Sequence, residues 1–126
     1  MILTEADAAN LLLLGHQHAA LRRRLESAVI VSSGAVPADV VTMQSQVALT
    51  DEAGKLHVLS VVYPQEADEA SARISVLEPL GMALLGARCG QKIECPGARG
   101  PRRFRVEEIV YQPELSLRND LVVRET

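Results

Sequence analysis

The chain changes texture at Pro37, and that break limits what it can fold into. Before it there is no proline, and leucine and alanine dominate; Pro37 is the first of six prolines, and the rest follow among β-branched residues alternating with polar ones. The first stretch reads as helix. Thr4 with Asp7 three residues on resembles a capping box with Asp in the role of Glu, and Glu5 and Asp7 sit where the helix dipole favours negative charge. This predicts a first helix from about Glu5 to Leu14, ended by Gly15. A second begins near His18 or Ala19 and sets Leu21, Leu25, Ala28 and Val29 on one face at helical spacing. It is expected to fade through Val29-Ile30-Val31 and stop at Ser32-Ser33-Gly34. Arg22, Arg23 and Arg24 fall on the remaining circumference and read as a solvated face. Residues 1–36 thus predict a short antiparallel helical hairpin, a short coiled coil, with Gly15, His16, Gln17 and His18 at its tip.

Beyond Pro37 the period moves towards two. Residues 40–49 and 56–63 read as strands around a turn at 51–55, and residues 65–72 as a solvated loop. A short strand at 74–77 precedes a helix that Pro79 opens in its favoured first position and Gly86 closes. Residues 91–95 and 103–111 supply the last strands. The class is α+β: an antiparallel sheet wrapped on one short helix over residues 37–114, then a tail at 115–126.

Composition excludes several functions. At 126 residues and 48% hydrophobic the chain fits one compact domain with a core of its own. Its three aromatic residues, Tyr63, Phe104 and Tyr111, are too few to line a ring-stacking pocket. A net charge of −3 argues against a protein that coats nucleic acid. Cys89 and Cys95 have no second pair, which favours reduced thiols over a zinc or disulfide framework. The acidic start and the brevity of the Leu11–Leu14 run predict neither a secretion signal nor a membrane span, hence a soluble, cytoplasmic protein. His16 and His18 are the one close pair of soft-metal ligands, without a third, and read as exposed loop residues; His57 stands alone in a strand. No metal, cofactor or small-molecule substrate is expected, nor any catalytic residue. Lys92, Arg99, Arg102, Arg103 and Arg105 crowd five cations into 14 residues with one acid, Glu94. That cluster suits either an acidic partner surface or a solvated strand edge that deters aggregation.

Residues 78–86, Glu78-Pro79-Leu80-Gly81-Met82-Ala83-Leu84-Leu85-Gly86, followed by Gly90-Gln91-Lys92-Ile93 and Pro96-Gly97, resemble the C-terminal signature of the GreA/GreB transcription elongation factors. Asp39-Val40-Val41-Thr42-Met43-Gln44-Ser45, Val62-Tyr63-Pro64 and residues 109–114 are similar to that family's regulators of nucleoside diphosphate kinase, the Rnk branch. The match spans about residues 39–114, its motifs in the right order. The resemblance implies a FKBP-like domain after a helical hairpin. It also implies RNA polymerase as partner, with the domain docked at the rim of the secondary channel, the hairpin pointing inward, and no sequence-specific DNA binding. On that reading the basic cluster becomes the candidate docking set, and Pro79, Leu80, Gly81, Ala83, Leu84, Leu85 and Gly86 read as the motif's core.

Cleavage-stimulating members of the family carry acids at the tip that help hold a second magnesium ion. Here no carboxylate lies between Asp7 and Glu26, and imidazoles are poor ligands for hard Mg²⁺. The expectation is a non-enzymatic regulator that occupies the channel without stimulating cleavage. A true cleavage factor would need Glu5 or Asp7, which lie at the base of the hairpin. A FKBP-type prolyl isomerase would need a ring-lined pocket, which three scattered aromatics do not supply.

Overall fold

The computed structural model describes residues 1–115, so the expected tail lies, but for its first residue, outside the described residues. The chain opens with β1 (Ile2–Thr4) and α1 (Glu5–Gly15), then α2 (Ala19–Leu25) and β2 (Val29–Val31). Thr4 caps α1: its hydroxyl accepts the Asp7 N–H at 3.1 Å. The second half of a capping box is not made, because the Asp7 carboxylate turns away to accept the Met43 N–H at 3.1 Å. α2 is shorter than its leucine spacing predicts. It stops at Leu25, and Val29-Ile30-Val31 is a strand, not a fading helix. β2 pairs with β1 in parallel, Ile2 opposite Val29 and Thr4 opposite Val31, and the Val29 N–H reaches Met1 O at 2.8 Å. A stiff β-branched triplet with an apolar partner strand beside it gains more from pairing than from another helical turn.

The main sheet holds β3 (Gln46–Asp51), β4 (Leu56–Val62), β5 (Arg73–Ser75), β6 (Lys92–Cys95) and β7 (Arg102–Tyr111), in the order β5-β4-β3-β7-β6. It is not wholly antiparallel: β5 runs parallel to β4, Ser60 opposite Arg73 and Val62 opposite Ser75. The segment expected to begin a strand at Val40 stays irregular until Gln46. Gln44 adopts a left-handed φ of 68°, and the Thr42 N–H bonds the Ser45 hydroxyl, so residues 42–45 form a turn instead of a ladder. The expected loop at 65–72 contains two 3₁₀ turns, Pro64–Glu66 and Glu69–Ser71. Register shifts at Gln46/Val47 and Ala48/Leu49 interrupt the β3–β7 pairing and add to the curl of the sheet.

α3 (Pro79–Leu84) lies against this sheet with Leu84 and the adjoining Leu85 fully buried. Leu80 and Ala83 pack against the core from its margin, while Pro79 is exposed. Gly81 is required by contact: a Cβ there would collide with the Ser75 carbonyl oxygen at the end of β5. Gly86 ends the segment at φ +78°. One core unites these parts. Leu3, Leu11 and Leu21 from the N-terminal elements join Val47, Leu49, Val61, Leu84, Leu85, Phe104 and Val106.

Candidate functional site

The link between α1 and α2 carries the first candidate residues. Gly15 is buried where the helices come closest, and a Cβ there would meet the Arg22 backbone and Cβ at 3.5–3.6 Å. His16 and Gln17 are exposed and His18 is half-buried, so the link presents imidazole and amide groups to solvent. At 1.5 Å per residue the helices, of 11 and 7 residues, are about 16 and 10 Å long. Asp7 is bound to Met43 at the opposite end of α1, and Glu26 lies just past the end of α2. No group of three or more His, Cys, Asp or Glu side chains fit to hold a metal forms among the described residues.

The basic cluster is divided by the pleat of the sheet. Opposite partners in the β6–β7 ladder are Lys92 with Arg105, Ile93 with Phe104, Glu94 with Arg103 and Cys95 with Arg102. Ile93, Cys95, Phe104 and Val106 face the core, so Lys92, Glu94, Arg103 and Arg105 share the outer face. Arg102 belongs to the other set and lies over the Phe104 ring, 4.9 Å from its centroid. Arg99 sits in the exposed turn between the strands. The outer cations are largely countered by acids: Arg103 pairs with Glu94 at 3.0 Å and Arg105 approaches Glu107 at 3.7 Å. Lys92, Arg99 and Arg102 make no ion pair among the described residues. A shallow groove of about 690 Å³ runs along this face, lined by Lys92, Arg103 and Arg105 but also by Asp51, Glu52, Glu94 and Glu107. The surface is therefore mixed in charge, which favours a partner of alternating charge over a polyanion.

Other polar contacts have no counterpart in the sequence pattern. His57, which stands alone in its strand by sequence, bonds Asp51 at 2.9 Å and sets its ring edge-on to Phe104. That bond, helped by the Lys55 and Ala53 N–H groups, holds the Asp51 carboxyl below its usual range. Arg24 does not belong to a solvated face. Its guanidinium donates to the carbonyl oxygens of Ala83 and Leu85, each at 3.3 Å, tying α2 to the end of α3, and burial pushes its pKa down. The signal was available, since Arg24 lies one helical turn beyond buried Leu21. Arg22 and Arg23 are exposed as expected. Tyr63 and Phe104 line different grooves and Tyr111 is exposed, so the aromatics assemble no common pocket.

The family model for the C-terminal domain of the transcription elongation factors GreA/GreB matches residues 36–111. The chain belongs to the GreA/GreB family. Among curated relatives, it is 35% identical over 125 residues to the regulator of nucleoside diphosphate kinase of Escherichia coli K12, covering 90% of this chain and 91% of that protein. It is 33% identical over 90 residues to the elongation factor GreA of Clostridium botulinum, which covers 71% of this chain but 56% of GreA. A solved GreA/GreB elongation factor from Nitrosomonas europaea superposes with a TM-score of 0.75 at 34% identity, over 88% of this chain and 99% of that one. These relatives are a regulator and elongation factors, and the chain is a Gre-like factor. No helix among the described residues is long and apolar enough to cross a membrane.

Proposed function

We propose that this Gre-like factor binds RNA polymerase at the rim of the secondary channel and regulates transcription there without stimulating transcript cleavage. One observation carries the reading: the link His16-Gln17-His18 holds no carboxylate, while Asp7 is bound to Met43 at the far end of α1. Two-metal hydrolysis needs oxygen ligands at the second ion, and imidazole and amide groups do not replace them. The short helices support the same reading, as does the coverage of only 56% of a GreA chain. The curled sheet around α3 supports a FKBP-like docking domain, with Lys92, Arg99, Arg102, Arg103 and Arg105 at its polymerase-facing edge. Similarity to the E. coli regulator of nucleoside diphosphate kinase supports a regulatory effect on that kinase. The test is co-purification with core RNA polymerase, followed by displacement with a cleavage-competent Gre factor. Mutual displacement is expected; simultaneous binding of both factors would overturn the shared-site reading.

A further inference from the structure

Among the described residues the main sheet ends at β6, whose outer side carries a charge pattern complementary to its own reverse. The direction of its backbone groups follows from the start of the β6–β7 ladder. The Gly90 N–H reaches Val106 O at 2.7 Å, and the Val106 N–H reaches Gln91 O at 2.9 Å. Bonded positions of an antiparallel pair recur at every second residue, so the next ones are Phe104 with Ile93 and Arg102 with Cys95. The far side of β7 agrees. The Asp51 N–H turns to Lys55 O, away from β7, which leaves its neighbour Thr50 to bond Arg105 across the β3–β7 pair. The N–H and C=O groups of Lys92 and Glu94 therefore point away from β7, out of the edge of the sheet.

Both side chains are exposed on the outer face, and Ile93 between them faces the core. Two copies of β6 laid antiparallel about a two-fold axis at Ile93 set Lys92 of each opposite Glu94 of the other. The residues that meet are those whose backbone groups point outward, so each opposed pair exchanges hydrogen bonds as well as opposite charges. An axis at Lys92 or at Glu94 opposes like charges instead, so charge selects one register. Within one copy Lys92 already stands opposite Arg105, a like-charged pair that an incoming carboxylate relieves. Glu94 Oε2 accepts from Arg103 Nε at 3.0 Å, and its second oxygen can take the ammonium. Pro96 has no N–H to donate, and the Gly90 N–H is committed to Val106, so the shared ladder stops at these opposed pairs.

We propose that the outer edge of β6 binds a second copy of this chain, forming a two-fold dimer in which the two main sheets run on as one. So short an edge makes the contact a weak, transient one. The proposal stands apart from the polymerase reading, and its test uses the protein alone.

Sedimentation velocity from about 10 µM to about 1 mM should show the average mass rising towards that of two chains. Lys92→Glu and Glu94→Lys should each weaken association about tenfold or more, because each opposes like charges twice in the dimer. The double variant K92E/E94K restores opposite charges and should associate within about threefold of the wild type. Amide hydrogen exchange on the unmodified chain gives a second reading that needs no variant. As concentration rises, the Lys92 and Glu94 amides should slow, while those of Ile93 and Cys95, already bonded to β7, keep their rates. A mass independent of concentration overturns the proposal, as do single variants that associate like the wild type or a folded double variant that fails to recover. Protection of the Lys92 and Glu94 amides that is the same at every concentration also overturns it, because another segment of the same chain then takes the edge.

Discussion

Replacing Arg24 by Met tests whether α2 is held to α3 by its guanidinium. The methionine keeps an apolar stem where the arginine stem packs, so the loss reports the polar head. That head donates two bonds, to Ala83 O and Leu85 O, each 3.3 Å long. A hydrogen bond to a charged group contributes about 1.5–3 kcal/mol, and this length places both at the weak end. Part of that is offset, because a half-buried guanidinium regains hydration on unfolding. The net expectation is a loss of about 1–3 kcal/mol. With a urea slope of about 1–1.5 kcal/mol per molar, the midpoint should fall by roughly 0.7–3 M. Arg23→Met is the control: that side chain is exposed and its loss should stay within about 0.5 kcal/mol. Urea unfolding followed by circular dichroism reads both. An Arg24→Met midpoint equal to or above wild type would show that the desolvated charge costs as much as its bonds return, and would refute the clasp.

Leu84→Ala should destabilise by about 2–5 kcal/mol through lost burial and a cavity, read as a lower urea midpoint; an unchanged midpoint would remove Leu84 from the core. The raised Asp7 carboxyl, at about 6, contributes stability that is fully present below the unfolded value near 3.8 and is lost as pH rises through 6. With allowance for its partial exposure the loss is about 1–2 kcal/mol, and unfolding midpoints from pH 4 to 7 should show it in wild type and not in Asp7→Asn. Changing Arg102, Arg103 and Arg105 together to Glu should weaken competition with a Gre factor for polymerase and flatten its salt dependence; unchanged competition would exclude the basic edge from docking.

The helix starts and the turn glycines were legible because their causes are local. Thr4 caps the helix it was expected to cap, Pro79 opens α3, and Gly86 closes it. What escaped the sequence depends on partners distant in the chain. Val29–Val31 is a strand only because Ile2–Thr4 lies alongside, and β5 runs parallel only because the two 3₁₀ turns bring it back beside β4. At the candidate site only His16 and Gln17 of the link are exposed, while Gly15 is buried within α1 and His18 is half-buried. The basic cluster was legible as charge but not as geometry. Alternation in β7 sends Arg102 to one face and Arg103 with Arg105 to the other, and the neutralising Glu94 and Glu107 appear only once the strands are paired. The inward roles of Asp7 and Arg24 required their carbonyl and amide partners, Met43 in one case and Ala83 with Leu85 in the other.

Transcript cleavage by a backtracked RNA polymerase complex tests the central claim most directly, because it separates occupancy of the channel from chemistry within it. The protein is titrated into the complex alone, and then into the complex with a fixed amount of GreB. The expected result is no stimulated cleavage from the protein alone, and GreB-stimulated cleavage that declines towards its unstimulated rate as the protein saturates. Stimulated cleavage without GreB would contradict the assignment of the His16-Gln17-His18 link as unable to hold the second metal. GreB-stimulated cleavage left undiminished at saturating protein would contradict occupancy of the shared channel.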